Sequence, residues 1–166
     1  MARSSGCRLW PALAMSLVAG LGATEAAADV TAFVATTTQP SNRPTFGFAA
    51  GAGLVAVGFE FEYAWANEAV DSGAPSLKTG TINGYLQTPV PLAGLQFYGI
   101  VGAGVYRERF GEDDGVTDVM TSVGGGVKLA LSGPVKLRVD YRVLLLRGNA
   151  RYTSPKRIYA GLSMSF

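Results

Sequence analysis

The 166-residue chain contains no histidine and a single cysteine. Without histidine there is no Ser-His hydrolase, no imidazole metal ligand and no His-based acid–base pair. One cysteine excludes an intrachain disulfide and a cysteine zinc cluster. Net charge is scarce as well. Fourteen basic against 12 acidic residues leave +2, short of the basic surplus a nucleic-acid binder carries, so no nucleic acid is expected among the partners. Only 16% of residues are charged and mean hydropathy is +0.23, the reverse of a disordered composition. Helical periodicity is missing, and after residue 28 no apolar run approaches the ~20 residues of a spanning helix.

What is present begins with an export signal. Arg3 and Arg8 form a basic start, an apolar stretch runs from Leu9 to Leu21, and the small residues Ala26-Ala27-Ala28 precede Asp29. That order reads as a secretory signal peptide over residues 1–28, leaving one domain over residues 29–166. Cys7 falls ahead of the apolar stretch, inside the segment to be removed. The remaining 138 residues are free of cysteine and nearly neutral, with 12 basic and 11 acidic side chains.

Beyond residue 28 the repeating feature is alternation with period two, the mark of a strand with two unlike faces. In Gly58-Phe59-Glu60-Phe61-Glu62-Tyr63-Ala64-Trp65, aromatics alternate with carboxylates, and in Val135–Val143 apolar residues alternate with Lys136, Arg138, Asp140 and Arg142. At the end of the chain Ile158, Ala160, Leu162, Met164 and Phe166 share a face opposite Arg157, Tyr159, Gly161, Ser163 and Ser165. Extending these anchors predicts eight strands: Val30–Thr37, Thr45–Leu54, Val57–Trp65, Leu77–Thr88, Leu95–Arg107, Thr117–Ala130, Val135–Leu146 and Lys156–Phe166. The connections carry turn chemistry and alternate between long polar loops and short turns, as in an up-and-down meander. Membrane strands of ~9–11 residues fit eight times into this length with room for seven connections, and ten would not.

Period two alone leaves open whether the apolar face meets a core or lipid, because a soluble lipocalin-like barrel alternates too. Three features favour lipid. Aromatics sit near strand ends on the apolar face (Phe46, Phe48, Tyr63, Trp65, Phe97, Phe166), where an interfacial girdle belongs. Glycines crowd the opposite face (Gly47, Gly51, Gly53, Gly102, Gly104, Gly124, Gly126), as a narrow lumen requires. The chain also ends in phenylalanine on its last strand.

The segment Tyr159-Ala160-Gly161-Leu162-Ser163-Met164-Ser165-Phe166 resembles the terminal assembly signal of bacterial outer-membrane barrels, in which Tyr159, Gly161, Met164 and Phe166 occupy the signal positions. Tyr159 stands where that signal prefers a plainly polar residue. Taken with the export signal and eight strands, the chain resembles the small eight-stranded outer-membrane barrel family, the OmpA/OmpX-like group, over its whole length after residue 28. The resemblance implies an all-β, eight-stranded antiparallel transmembrane barrel in the outer membrane. It also implies two kinds of partner: the barrel assembly machinery, which reads the last strand, and outer-membrane lipid and lipopolysaccharide. It implies no activity.

With Phe59 and Phe61 toward lipid, Glu60 and Glu62 face the lumen, and the same parity turns Arg138, Asp140 and Arg142 inward on the seventh strand. Strands three and seven lie opposite in an eight-strand closure, so carboxylates and guanidiniums are expected to pair across a lumen just wide enough to be filled by side chains. Such a plug of ion pairs is the expected role of these residues, ahead of a narrow conductance or acid–base catalysis, since carboxylates beside arginines stay ionised. Arg147, Arg151, Lys156 and Arg157 cluster around the last long loop and are candidates for contact with lipopolysaccharide phosphates. Glu112-Asp113-Asp114 reads as a solvated loop tip, because its spacing matches no calcium loop. Neither a metal nor a cofactor is expected. Lipid-modifying enzymes on this scaffold depend on histidine with serine, so the expected function is non-enzymatic: envelope structure or loop-mediated interaction. A narrow channel, or a soluble ligand-binding barrel, is the alternative.

Overall fold

The computed structural model describes residues 27–111 and 115–166. Most of the proposed signal peptide and the acidic tip 112–114 lie outside the described residues. Eight strands are observed: β1 (Ala27–Thr37), β2 (Arg43–Gly53), β3 (Val57–Ala66), β4 (Ser76–Gln87), β5 (Leu95–Arg109), β6 (Val116–Ser132), β7 (Val135–Leu146) and β8 (Lys156–Ser165). Each pairs antiparallel with its neighbour in sequence, and β8 returns to β1, so the sheet closes on itself. The closure begins at the chain end, where Phe166 and Ala28 exchange backbone hydrogen bonds of 2.9 and 3.0 Å. Closure leaves no strand edge unpaired, a necessity where no water is present to satisfy backbone groups.

The β2–β3, β4–β5 and β6–β7 connections and both ends of the closed sheet lie at one end, and the β1–β2, β3–β4, β5–β6 and β7–β8 connections lie at the other; the expected alternation of long and short fails at β4–β5, whose residues 88–94 outnumber those of 38–42 and 110–115. Among the described residues the single departure from strand and loop is a 3-10 turn, Val70–Ser72, in the β3–β4 connection. β5 and β6 are the longest strands, at 15 and 17 residues. β6 continues through a register shift between Ala130 and Ser132 before Gly133 turns the chain at φ +53°.

The faces are sorted as in a barrel that sits in lipid. Outward positions carry exposed apolar side chains, among them Phe59 at 62%, Ile82 at 69% and Val101 at 62% exposure. Inward positions carry the buried polar and charged ones. A soluble barrel has the opposite arrangement, and at ~25 cal/mol per Å2 this much exposed apolar surface would be strongly unfavourable in water. Phe46, Phe48, Tyr63 and Trp65 form one continuous aromatic patch on the outer face, with ring centroids 5.8–6.3 Å apart.

Candidate functional site

The lumen is built by the inward half of every strand, and its charges are concentrated in the middle. Arg138 on β7 reaches across to β3 and grips Glu60 with both terminal nitrogens, Nη1 to Oε2 at 2.7 Å and Nη2 to Oε1 at 3.1 Å. This two-point geometry is the strong form of a guanidinium–carboxylate pair. Four residues along β7, Arg142 donates from Nη2 to Glu60 Oε1 at 2.8 Å and brings Nη1 to 2.7 Å from Glu62 Oε2. The second contact is ionic, without the alignment of a hydrogen bond. Asp140 lies between the two arginines and accepts from both.

Tyrosines complete the cluster. Tyr98 on β5 accepts from Arg138 Nε at 2.7 Å and donates to Asp140 Oδ2 at 2.5 Å. Tyr159 on β8 accepts from Arg142 Nη2 at 3.1 Å, and its ring stacks on Phe33 at 4.3 Å. That stack needs a wall without side chains. A Cβ on Gly47 would overlap the Phe33 ring, and one on Gly161 would come within 2.6 Å of the Ala32 carbonyl oxygen and 2.8 Å of Phe33 Cβ. Glycine at these two inward positions is therefore what lets two aromatics and two arginines share one cross-section.

Five of these residues, Glu60, Glu62, Arg138, Asp140 and Arg142, are the ones expected in the lumen, and the structure brings them together. It also adds one that the sequence reading placed elsewhere. Arg157, expected with the lipopolysaccharide-facing cluster, is 0% exposed and points inward. Its Nη1 lies 3.3 Å from Glu62 Oε1, and it donates to Thr37 and Thr79 hydroxyls. The physical reason is parity: Arg157 precedes outward-facing Ile158, so it turns into the barrel however near the loop it stands in sequence. With Arg157 the mid-lumen holds three carboxylates and three guanidiniums, a locally neutral set. Arg147, Arg151 and Lys156 are exposed at the long-loop end. Arg151 lies over the Phe110 ring at 4.6 Å, and its backbone N–H donates to Glu108 at 2.9 Å.

The lumen is closed on both sides of this cluster. Toward the long loops an apolar layer of Ala66, Leu77, Tyr106, Met120, Leu144 and Leu146 packs together, with Arg43 above it donating to the Pro75 carbonyl. Toward the short turns Lys128 pairs with Asp29 at 3.0 Å, lies over the rings of Tyr85 and Tyr98, and Ser165 bonds the same aspartate. Every ion pair among the described residues lies inside the barrel. Tyr98, Lys128 and Asp29 were not singled out by sequence reasoning, although continuing the inward parity along each strand would have found them.

Of the terminal segment, Tyr159 and Gly161 are inward and buried, whereas Met164 and Phe166 are outward, at 48% and 71% exposure.

No protein-family model and no curated protein matches the chain. Solved structures do. The N-terminal β-barrel domain of Pseudomonas aeruginosa OprF aligns with a TM-score of 0.64 at 14% identity, covering 84% of this chain and 97% of that one. Ail, the attachment invasion locus protein of Yersinia pestis, aligns at 0.56 and 13% identity, covering 86% and 99%. The outer membrane enzyme PagL aligns at 0.53 and 12% identity, covering 82% and 98%. The chain has the fold of small eight-stranded outer-membrane barrels.

Proposed function

We propose that the chain is an integral outer-membrane barrel whose lumen is a fixed plug and whose role is carried by its lipid-facing wall and long loops, in envelope structure or loop-mediated interaction, without enzymatic activity. The carrying observation is the inverted sidedness: apolar side chains outside, and a neutral, ion-paired cluster of three carboxylates and three guanidiniums inside. A general acid or base must exchange its proton with a substrate. Here each central carboxylate is clamped by arginine between an apolar layer and a Lys–Asp pair, which supports the non-enzymatic reading. The same filling counts against a narrow channel.

Residues 1–28 serve as the export signal in this reading, and residues 29–166 assemble as the barrel, with the machinery reading Tyr159, Gly161, Met164 and Phe166. Arg147, Arg151 and Lys156 are exposed where lipopolysaccharide phosphates would meet the loops, a favourable electrostatic contact.

The test is to fractionate cells expressing the full chain and compare gel migration with and without heating, alongside planar-bilayer recording. The expected result is an outer-membrane protein of heat-modifiable migration that shows no conductance steps. A water-soluble product would overturn the membrane reading, and stable unitary currents would overturn the plug.

A further inference from the structure

On the outer wall between β3 and β6 lies a trough of about 550 Å3. Its floor is Gly80 on β4 and Ala103 on β5, and a Cβ on Gly80 would meet nothing within 4 Å. Phe61, Ile82 and Val105 form its sides. At one end the character changes. Strand register aligns Trp65, Lys78, Arg107 and Thr117 on one rung, so that Lys78 stands directly opposite Arg107 with both side chains exposed on the outer face. Arg109 follows at the next outward position of β5.

Like charges directly opposite across a ladder lie ~5 Å apart at Cβ and repel. This repulsion falls on the rung of Trp65 in the aromatic patch, the level at which headgroups meet protein. An anion between the two side chains would turn the repulsion into attraction. A second trough of about 530 Å3 across the β8–β1 seam, lined by Val34, Phe46, Leu137 and Leu162 among others, has no charged residue in its lining.

We propose that the β3–β6 trough holds an acyl chain of a phosphorylated glycolipid of the outer leaflet, with a phosphate seated between Lys78 and Arg107. Charge complementarity selects the headgroup, since guanidinium offers a fork and ammonium a point charge to phosphate oxygens. From Arg107 down to Ala103 the strand runs about 13 Å at ~3.3 Å per residue, room for a fatty acyl chain. The leaflet follows from position: Lys78 and Arg107 adjoin the β3–β4 and β5–β6 connections, at the end that also carries the nine-residue β7–β8 loop 147–155, whereas the two ends of the closed sheet lie at the far end. The inference rests on the outer-membrane reading above, which makes the long-loop end the outer one.

The experiment titrates the folded barrel in detergent with bisphosphorylated lipid A, with the same lipid stripped of its phosphates, and with phosphatidylglycerol, reading retained lipid by native mass spectrometry. The phosphorylated lipid A is expected to be retained over both others. Lys78→Gln with Arg107→Gln should weaken it roughly 30-fold. Gly80→Leu, which fills the floor, should weaken it too, and Ala160→Leu in the uncharged trough should leave it unchanged. Equal retention of either comparison lipid, or undiminished binding by both trough variants, overturns the site. Heat-modifiable migration confirms that each variant is folded, and the single replacements at 78 and 107 are read if the pair does not fold. Fractionation stays independent of this result. A barrel that binds lipid A but is found outside the outer membrane refutes the localisation, and an outer-membrane barrel that ignores lipid A refutes the site.

Discussion

Arg138 holds both oxygens of Glu60 while its Nε donates to Tyr98 and its Nη2 also meets Asp140 at 3.1 Å, so Glu60 is its two-point carboxylate partner and Asp140 a one-point one. Breaking one partner of a buried pair costs roughly 3–5 kcal/mol, much of it the stranded charge. Arg138→Gln is therefore expected to lower the unfolding free energy in micelles by that order. A double-mutant cycle with Glu60→Gln should return a clearly non-zero coupling, and additive losses would show that water rather than Glu60 satisfies the guanidinium. The pairing across strands three and seven was legible from alternation alone, but its details were not. Glu62 meets Arg142 and Arg157, and no contact joins it to Arg138, because reach and stagger depend on strand tilt, which periodicity does not encode. Sidedness is testable one residue away. Val139 is 42% exposed and Arg138 2%, so a cysteine at 139 should react with a lipid-soluble reagent and one at 138 should not. Val139→Arg should cost ~2–4 kcal/mol near the midplane, and a cost near zero would contradict lipid exposure there.

At the scale of strands, β7 was readable to the residue (Val135–Leu146) because apolar and charged positions alternate from Val135 to Val143 and the apolar run after them stops at Arg147. Glycine-rich β6 was read short. Leu131-Ser132 looked like part of a turn, yet the strand continues to Ser132 by accommodating a register shift that no sequence signal announces. β2 was also read two residues late, since Arg43-Pro44 resembles a loop; Arg43 instead pairs with Thr37 in the ladder. β8 combines two tasks. Its inward residues complete the plug, while Met164 and Phe166 remain on the outer face. Deleting Phe166 should therefore leave export and the central ion pairs untouched but reduce the assembled, heat-modifiable fraction several-fold in cells. Normal assembly of the deletion would remove the last residue from the recognition signal.

For the molecule as a whole, the mid-lumen ion pairs lie within a shell of strands, under the apolar layer on one side, with side chains at most 6% exposed. Raising NaCl from about 0.05 M to about 1 M, which shortens the screening length roughly fourfold, should shift the melting temperature of the folded barrel little. A large salt-dependent loss would mean a wet lumen. The seam between β1 and β8 carries a further consequence, which concerns time. Thr31 and Ser163, joined hydroxyl to hydroxyl at 2.6 Å, are 132 positions apart in sequence, and Asp29 pairs with Ser165 beside them in the ladder. No subset of strands can close a smaller ring first, so β1 must wait with an unpaired edge until the final residue has been made and delivered. Such distant pairing is slow and leaves sticky edges exposed. The barrel thus commits to its folded state in one late event, and until then its β1 edge is open to pairing with other chains.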